Sequence, residues 1–246
     1  MRTIGYSTGS LCRSDFRWAL QILERIEVRA VELSALRFGE LRPLVEALPE
    51  LPLQRFSYVS FHVPSKFTRD QEEEVLSLLA RIPDPSWPLI THPDAIFDFE
   101  LWRPLGKRIC IENMDKRKPI GQTAEQLRSV FERLPEATLC FDIAHAKQID
   151  PTMCEAVAIL KENRGRLRQI HMSEVDTHSV HQPINRWALY SFSRVARWMP
   201  ENVPIILESP TIDDEVPAMT NAVTRELGMA ERVFLQGTEG EYALAV

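Results

Sequence analysis

Seven side chains of the kinds that hold metals or move protons recur at one kind of place in this chain. Glu32, His62, His92, Glu112, Asp142, His171 and Glu208 each stand at or near the end of a short β-rich run. An unpaired carboxylate closing a buried strand is costly, so each needs a partner, and one shared cation satisfies several at once. A single strand-end Asp or His is more often a helix cap or a satisfied polar group. Seven at the same relative position point instead to a common site. The principal set is Glu112 (IENMD), Asp142 (FDIAHAK), His171 (IHMSEVD) and Glu208 (ILESP). Three carboxylates and one imidazole suit Mn2+, Zn2+, Fe2+ or Mg2+ without singling one out. Asp142 and His145, in an Asp-x-x-His spacing, can both face the same way. Of the remaining histidines, His181 lies in the loop after the seventh run, and His178 reads as a solvated loop residue.

Positioning these groups requires a repeating scaffold, and the chain alternates between strand-like and helical stretches. Strands are expected at Thr3–Tyr6, Ala30–Ser34, Ser57–His62, Leu89–His92, Arg108–Glu112, Ala137–Asp142, Leu167–Ser173 and Pro204–Glu208. Helices are expected around Asp15–Ile26, Glu40–Ala47, Asp70–Arg81, Phe97–Leu105, Thr123–Leu134, Pro151–Glu162, Trp187–Trp198 and Asp214–Leu227. Thr123 followed by Gln126 is a capping-box start. The strands read as buried runs of a parallel sheet. Eight strand–helix units without a composition break, over residues 1–246, predict a single (β/α)8 TIM barrel, whose strand ends converge on one mouth. The rival is an open doubly wound sheet. The first strand-to-helix turn, Ser7-Thr8-Gly9-Ser10, lacks the GxGxxG pattern of dinucleotide binders.

Composition sets outer limits. The 246 residues are 44% hydrophobic, ample for a large core, and the net charge of -6 argues against sequence-independent nucleic-acid binding, which needs Lys and Arg to neutralise phosphates. Cys12, Cys110, Cys140 and Cys154 form no CxxC pair, and Cys110 and Cys140 read as buried free thiols. No apolar run approaches the ~18 residues of a spanning helix, and no basic-then-apolar leader opens the chain. The expectation is a cytoplasmic protein with no membrane partner that could form a homo-oligomer. Lys66, Lys116, Arg117 and Lys118 fall in loops after strands, where they could grip a phosphate or an acid or simply meet solvent. Phe61 and Phe141 are expected to pack between barrel and helices.

In order and spacing, the segments VELS, SFHVP, THPD, IENMD, FDIAHA, IHMSEVD, HQPI and ILESP resemble the xylose isomerase-like barrel superfamily, which includes sugar epimerases and endonuclease IV. The resemblance runs nearly end to end. In the epimerases one cation is held by Glu, Asp, His and Glu from strands five to eight, which match Glu112, Asp142, His171 and Glu208. The two glutamates there also serve as acid and base, which assigns catalysis to Glu112 and Glu208. His145 matches a substrate-contacting histidine, and Glu32 and Lys118 complete the expected substrate-binding set. Lys118 stands where the epimerases usually carry a Glu, and Thr177 where they carry an Arg. In endonuclease IV three zinc ions are bound, and the additional ligands match His62, His92, His145 and His181. Ser179 stands where an Asp is expected there, with Asp176 as a candidate substitute.

The resemblance therefore implies one to three divalent cations per chain, Mn2+ or Zn2+ first. It implies a sugar-like small-molecule substrate and an isomerase or epimerase moving a proton beside a metal-bound carbonyl. The alternative is a multinuclear phosphoester hydrolase of the endonuclease IV (AP endonuclease) type. A third reading is a non-catalytic barrel with a degenerate site. Fold alone does not choose among them.

Overall fold

A computed structural model describes residues 2–211, 213 and 215–239. Eight parallel strands close into a barrel: β1 (Ile4–Ser7), β2 (Ala30–Ser34), β3 (Tyr58–His62), β4 (Leu89–Thr91), β5 (Ile109–Glu112), β6 (Thr138–Asp142), β7 (Leu167–Met172) and β10 (Ile205–Leu207). The ring closes where β1 pairs with β10, Ile4 opposite Ile205. Outside it run α1 (Phe16–Leu23), α2 (Phe38–Ala47), α3 (Glu72–Leu79), α4 (Phe99–Trp102), α5 (Ala124–Arg133), α6 (Ile143–Ile149), α7 (Cys154–Glu162), α8 (Arg186–Ser193) and α9 (Val216–Glu239). The expected (β/α)8 barrel is the fold. A small antiparallel hairpin, β8 (Glu174–Val175) with β9 (His181–Gln182), rises from the loop after β7 and was not anticipated.

Side chains alternate across each strand, and the two faces carry different chemistry. The outward set includes Val31, Leu33, Phe61, Ile111, Phe141, Ile170 and Leu207, all fully buried in the layer between barrel and helices. Each such side chain contributes about 1.5–3 kcal/mol by leaving water. Phe61 and Phe141 pack there as expected. Inside the barrel the apolar content is smaller, with Ile90, Cys110 and Cys140 in one cluster and Ile206 and Ala30 beside the inner face of β1. The inward positions above these are polar. Gly5 opposes Ala30 on the inner face, and a Cβ at Gly5 would lie 1.9 Å from the Ala30 carbonyl oxygen. The backbones of β1 and β2 come this close because the residue has no side chain.

Several local expectations change. Asp142 caps an immediate helix, α6, by accepting the His145 backbone N–H at 2.7 Å, so His145 sits in a helical turn rather than a loose one. Thr123 does accept from the Gln126 N–H, but Gln126 Oε1 accepts from Gln122 N instead of Thr123 N, so the box is shifted by one residue. The stretch after Phe97 yields only the short α4, followed by a 3-10 segment broken at Gly106. Pro151 lies in the turn before α7, and α8 ends at Ser193. The last helix runs longer than expected, and the anticipated start, Asp214, lies outside the described residues. Cys110 and Cys140 are buried free thiols. No helix among the described residues is long and apolar enough to cross a membrane.

Candidate metal centre

The barrel's strand ends bring Glu112, Asp142, His171 and Glu208 together, although they come from four separate strand termini. Asp142 and His171 are register partners across β6 and β7. Candidate ligand atoms of the four lie within 4.8 Å of one another, and all four residues are buried. His171 Nδ1 is 3.5 Å from Glu112 Oε1 and 3.3 Å from Glu208 Oε2. These are the edge lengths of a coordination polyhedron: ligands bound at ~2.0–2.1 Å in a tetrahedron stand about 3.3 Å apart.

A second group meets the first at Glu112. His62 Nε2 lies 3.5 Å and His92 Nε2 3.2 Å from Glu112 Oε2. One carboxylate oxygen thus faces His171 and the other faces His62 and His92. Glu32, His62 and Glu208 form a third set of ligand atoms within the same spacing.

Unpartnered atoms test whether a cation fits. Glu112 Oε2, Asp142 Oδ2 and His171 Nδ1 are buried without a hydrogen-bond partner. Leaving such groups unmet costs roughly 1–3 kcal/mol each, more when charged. All three point into the ligand cluster. The residues present fit a divalent metal ion.

Beneath the ligands runs a hydrogen-bonded chain. His171 Nε2 lies 2.9 Å from Glu32 Oε2, which also accepts from Gln169 Nε2 at 2.7 Å, and Tyr58 donates to Gln169 Oε1 at 2.8 Å. Donation of Nε2–H to Glu32 fixes the imidazole tautomer and turns the Nδ1 lone pair toward the cluster. His62 Nδ1 likewise meets the Val63 carbonyl at 2.9 Å, presenting Nε2. Asn113 bridges the ends of β5 and β6, its amide donating to and accepting from the Asp142 backbone at 2.8 Å each. Glu32 is fully buried and does not line the cavity, so it supports a ligand where sequence reasoning assigned it to substrate. Gln169 and Tyr58 were missed. The available signal was position: Gln169 shares the inward face of β7 with His171, and Tyr58 shares that of β3 with His62.

His145 and His181 stand beside the cluster with ring centroids 5.6 Å apart. No three-residue ligand group among the described residues includes either. His145 Nδ1 meets the Asn113 carbonyl, and His181 Nδ1 meets Ser173 Oγ. Asp176 does not replace the acid missing at Ser179. Its Oδ1 accepts the His178 and Val180 N–H groups in the exposed hairpin turn, and Ser179 Oγ donates to Gln148.

Burial and neighbours separate the two glutamates. Burial raises the Glu112 carboxyl, but His171, His92 and His62 outweigh it and hold Glu112 well below the usual carboxylate range. Burial pushes Glu208 up to about 8; His171 opposes the rise, and the nearby Glu112, Glu32 and Asp142 charges add to it. Burial disfavours the His171 cation, yet Glu208, Glu32 and Glu112 together raise it well above its ordinary value. A bound divalent cation competes with these protons.

The ligands open into a cavity of about 760 Å³. Although the chain is acidic, the rim carries Arg13, Arg37, Lys66, Arg117 and Lys118. Lys118 Nζ is 2.7 Å from Asp94 Oδ2, and Arg117 grips the buried Asp115 through Nε and Nη2 at 2.8 and 2.9 Å. Cys12, Arg13 and Ser14 hold left-handed backbone with φ of 51°, 56° and 67°. That conformation costs about 1–3 kcal/mol per non-glycine residue and concentrates at functional sites.

A closed parallel barrel with a carboxylate–histidine cluster at its C-terminal mouth is the class these features define. More narrowly, the fold is similar to that of solved barrels that include a xylose isomerase domain protein. No family model matches the sequence, and no curated protein matches it. Solved structures do match. A xylose isomerase domain protein from Alicyclobacillus acidocaldarius is 15% identical, with a TM-score of 0.63, covering 94% of this chain and 99% of its own. The 3-keto-D-glucoside 4-epimerase of E. coli is 12% identical, with a TM-score of 0.59 and coverages of 93% and 100%. Endonuclease IV from Thermus thermophilus is 16% identical, with a TM-score of 0.58 and coverages of 94% and 99%.

Proposed function

We propose that this chain is a divalent-metal-dependent enzyme that hydrolyses a phosphoester of a small molecule. The observation that carries the reading is the Glu112 carboxylate: Oε1 faces His171 while Oε2 faces His62 and His92, the disposition of a ligand shared by two ions. His62, His92 and Glu112 would hold one ion, and Glu112, Asp142, His171 and Glu208 the other. Such a pair supplies Lewis acidity at a phosphoryl oxygen and lowers the pKa of water. The chain's own groups do the rest. Arg117 and Lys118, each fixed by a carboxylate, stand where they can offset phosphate charge. The match to endonuclease IV supports this fold for such chemistry, and the acidic net charge favours a small substrate over DNA.

The isomerase or epimerase reading keeps one observation of its own. Glu112 and Glu208 both line the cavity with opposed proton affinities, the arrangement of a base and an acid on either side of a carbon. One experiment separates the two. Elemental analysis counts Zn or Mn per chain in the loaded protein, while phosphate release is screened over phosphomonoesters, phosphodiesters and an abasic-site DNA. Ketoses in D2O form the second arm. Two ions with phosphate release, and loss of one ion in His62→Ala/His92→Ala, is the expected result. One ion, no phosphate release and deuterium incorporation beside the carbonyl would replace the hydrolase with the isomerase.

A further inference from the structure

We infer that the mouth takes a substrate carrying negative charge at two separate points, one held by Arg117 and Lys118 and the other by Lys66. The inference rests on the reading of the cavity as a site for a phosphate-bearing molecule and adds where the charges of that molecule lie.

The rim cations fall into two banks. Arg117 and Lys118 belong to the loop after β5, while Arg13, Arg37 and Lys66 belong to the loops after β1, β2 and β3. In the order of the ring the loop after β4, which carries Asp94, stands between them.

The first bank is built into the fold. Asp115 is buried and takes both Nε and Nη2 of Arg117, which leaves Nη1 without a protein acceptor among the described residues. Asp94, from the next loop, holds Lys118. The loop after β5 is closed by Gln122, which donates to the Asp115 and Lys118 carbonyls, and by Gly121, whose φ of 89° and crowding against Pro93 exclude a side chain. A guanidinium and an ammonium held this way lose little freedom when an oxyanion arrives.

The second bank has a different character. The backbones of Arg37 and Lys66 pair as a parallel bridge, with Phe38 N donating to the Lys66 carbonyl, so the two side chains start from adjacent positions. Arg37 is turned to Glu40, but Lys66 has no carboxylate within ion-pairing distance among the described residues. Ser65 and Ser14 add hydroxyls to the same wall, and the left-handed run at Cys12–Ser14 sets Arg13 there as well. Lys66, exposed on the cavity wall and without a counter-ion among the described residues, is placed to meet a second anion of a ligand whose first is held by the anchored pair.

Calorimetric titration tests this without turnover. The probes are α,ω-alkanediol bisphosphates of increasing chain length and the corresponding monophosphates, added to the chelator-treated and the Zn-loaded protein at low salt. A bisphosphate that spans the banks is expected to bind about tenfold or more tightly than its monophosphate, because its second end binds intramolecularly. Lys66→Ala should reduce that bisphosphate to the level of its monophosphate while leaving the monophosphate itself bound, and Lys66→Arg should restore the difference. Arg117→Ala/Lys118→Ala should also remove the difference. If no bisphosphate exceeds its monophosphate by more than the roughly twofold statistical gain of two equivalent ends, the two-point reading is overturned. The wild-type comparison decides this even if a variant fails to fold. A strong bisphosphate preference with no phosphoester hydrolysed would leave the inference standing and remove the hydrolase assignment; hydrolysis without the preference would do the reverse.

Discussion

Replacing Glu32 by Gln keeps the size of a buried side chain while removing its charge, and isolates its effect on the neighbouring ligand. Glu32 Oε2 accepts from Gln169 at 2.7 Å and from His171 Nε2 at 2.9 Å. An amide in its place offers one acceptor oxygen in place of two carboxylate oxygens and brings two N–H donors into the same space. Either His171 or Gln169 then loses a good acceptor. The imidazole becomes a weaker and less firmly oriented ligand, which for outer-shell partners costs about 10–100-fold in metal affinity. That range is about 1.4–2.7 kcal/mol of binding free energy. The metal-free fold should lose stability as well, because the substitution leaves the buried His171 cation without its Glu32 partner, so folding and metal affinity are measured separately. Competition with a chromophoric chelator at fixed pH measures the affinity, and urea denaturation with chelator present measures the metal-free fold. Unchanged Zn affinity in a well-folded Glu32→Gln protein would refute the claim that Glu32 acts through His171. An equal loss in both measurements would reduce Glu32 to a structural residue.

Burial raises Glu208 to about 8, so near neutral pH metal binding must expel its proton. Apparent Zn or Mn affinity should rise by up to about tenfold per pH unit per proton released as pH approaches 8, and Glu208→Gln should lower the slope by the one proton it contributes. Calorimetry in buffers of different ionisation enthalpy reads the proton count directly. The same group sets a stability trend in chelator-treated protein. A raised folded-state pKa contributes stability that is fully present below the ordinary carboxylate range and lost as pH rises through about 8. The urea midpoint should therefore fall toward pH 8, less so in Glu208→Gln; a midpoint that rises in wild type and not in the variant would contradict the shift. Gly5→Ala places a Cβ against the Ala30 backbone at 1.9 Å and should fail to fold or lose several kcal/mol, since overpacking costs about 1–3 kcal/mol even where neighbours can yield. Phe141→Ala opens a cavity between barrel and helices and should cost about 3–5 kcal/mol with the metal count unchanged, read by denaturation and elemental analysis.

Some of this was legible residue by residue. Apolar runs with turn residues between them located all eight barrel strands, because strand formation and burial leave a short-range signature. The ligands stood out because a carboxylate or imidazole at the end of seven of the eight runs conflicts with burial unless something shares it. Local competition already blurred finer details. The helix α6 was hidden because Asp142 could be read as a strand end and not also as a cap, and Gln126 took its bond from Gln122 rather than Thr123.

Tertiary closure decided the rest. That Glu112 turns one oxygen to His171 and the other to His62 and His92 depends on the barrel bringing strands three, four, five and seven to common depth around a ring. The placement of Glu32 under His171, 139 residues away in sequence, has the same origin. Lys66, Arg117 and Lys118 looked alike as loop cations, and only the fold gave two of them acidic anchors and left the other without one. The physical reason is one of range. Strand, helix and burial preferences are set by neighbours a few residues away, whereas the charge and direction of a buried polar atom are set by whatever the closed barrel places within a few ångströms of it.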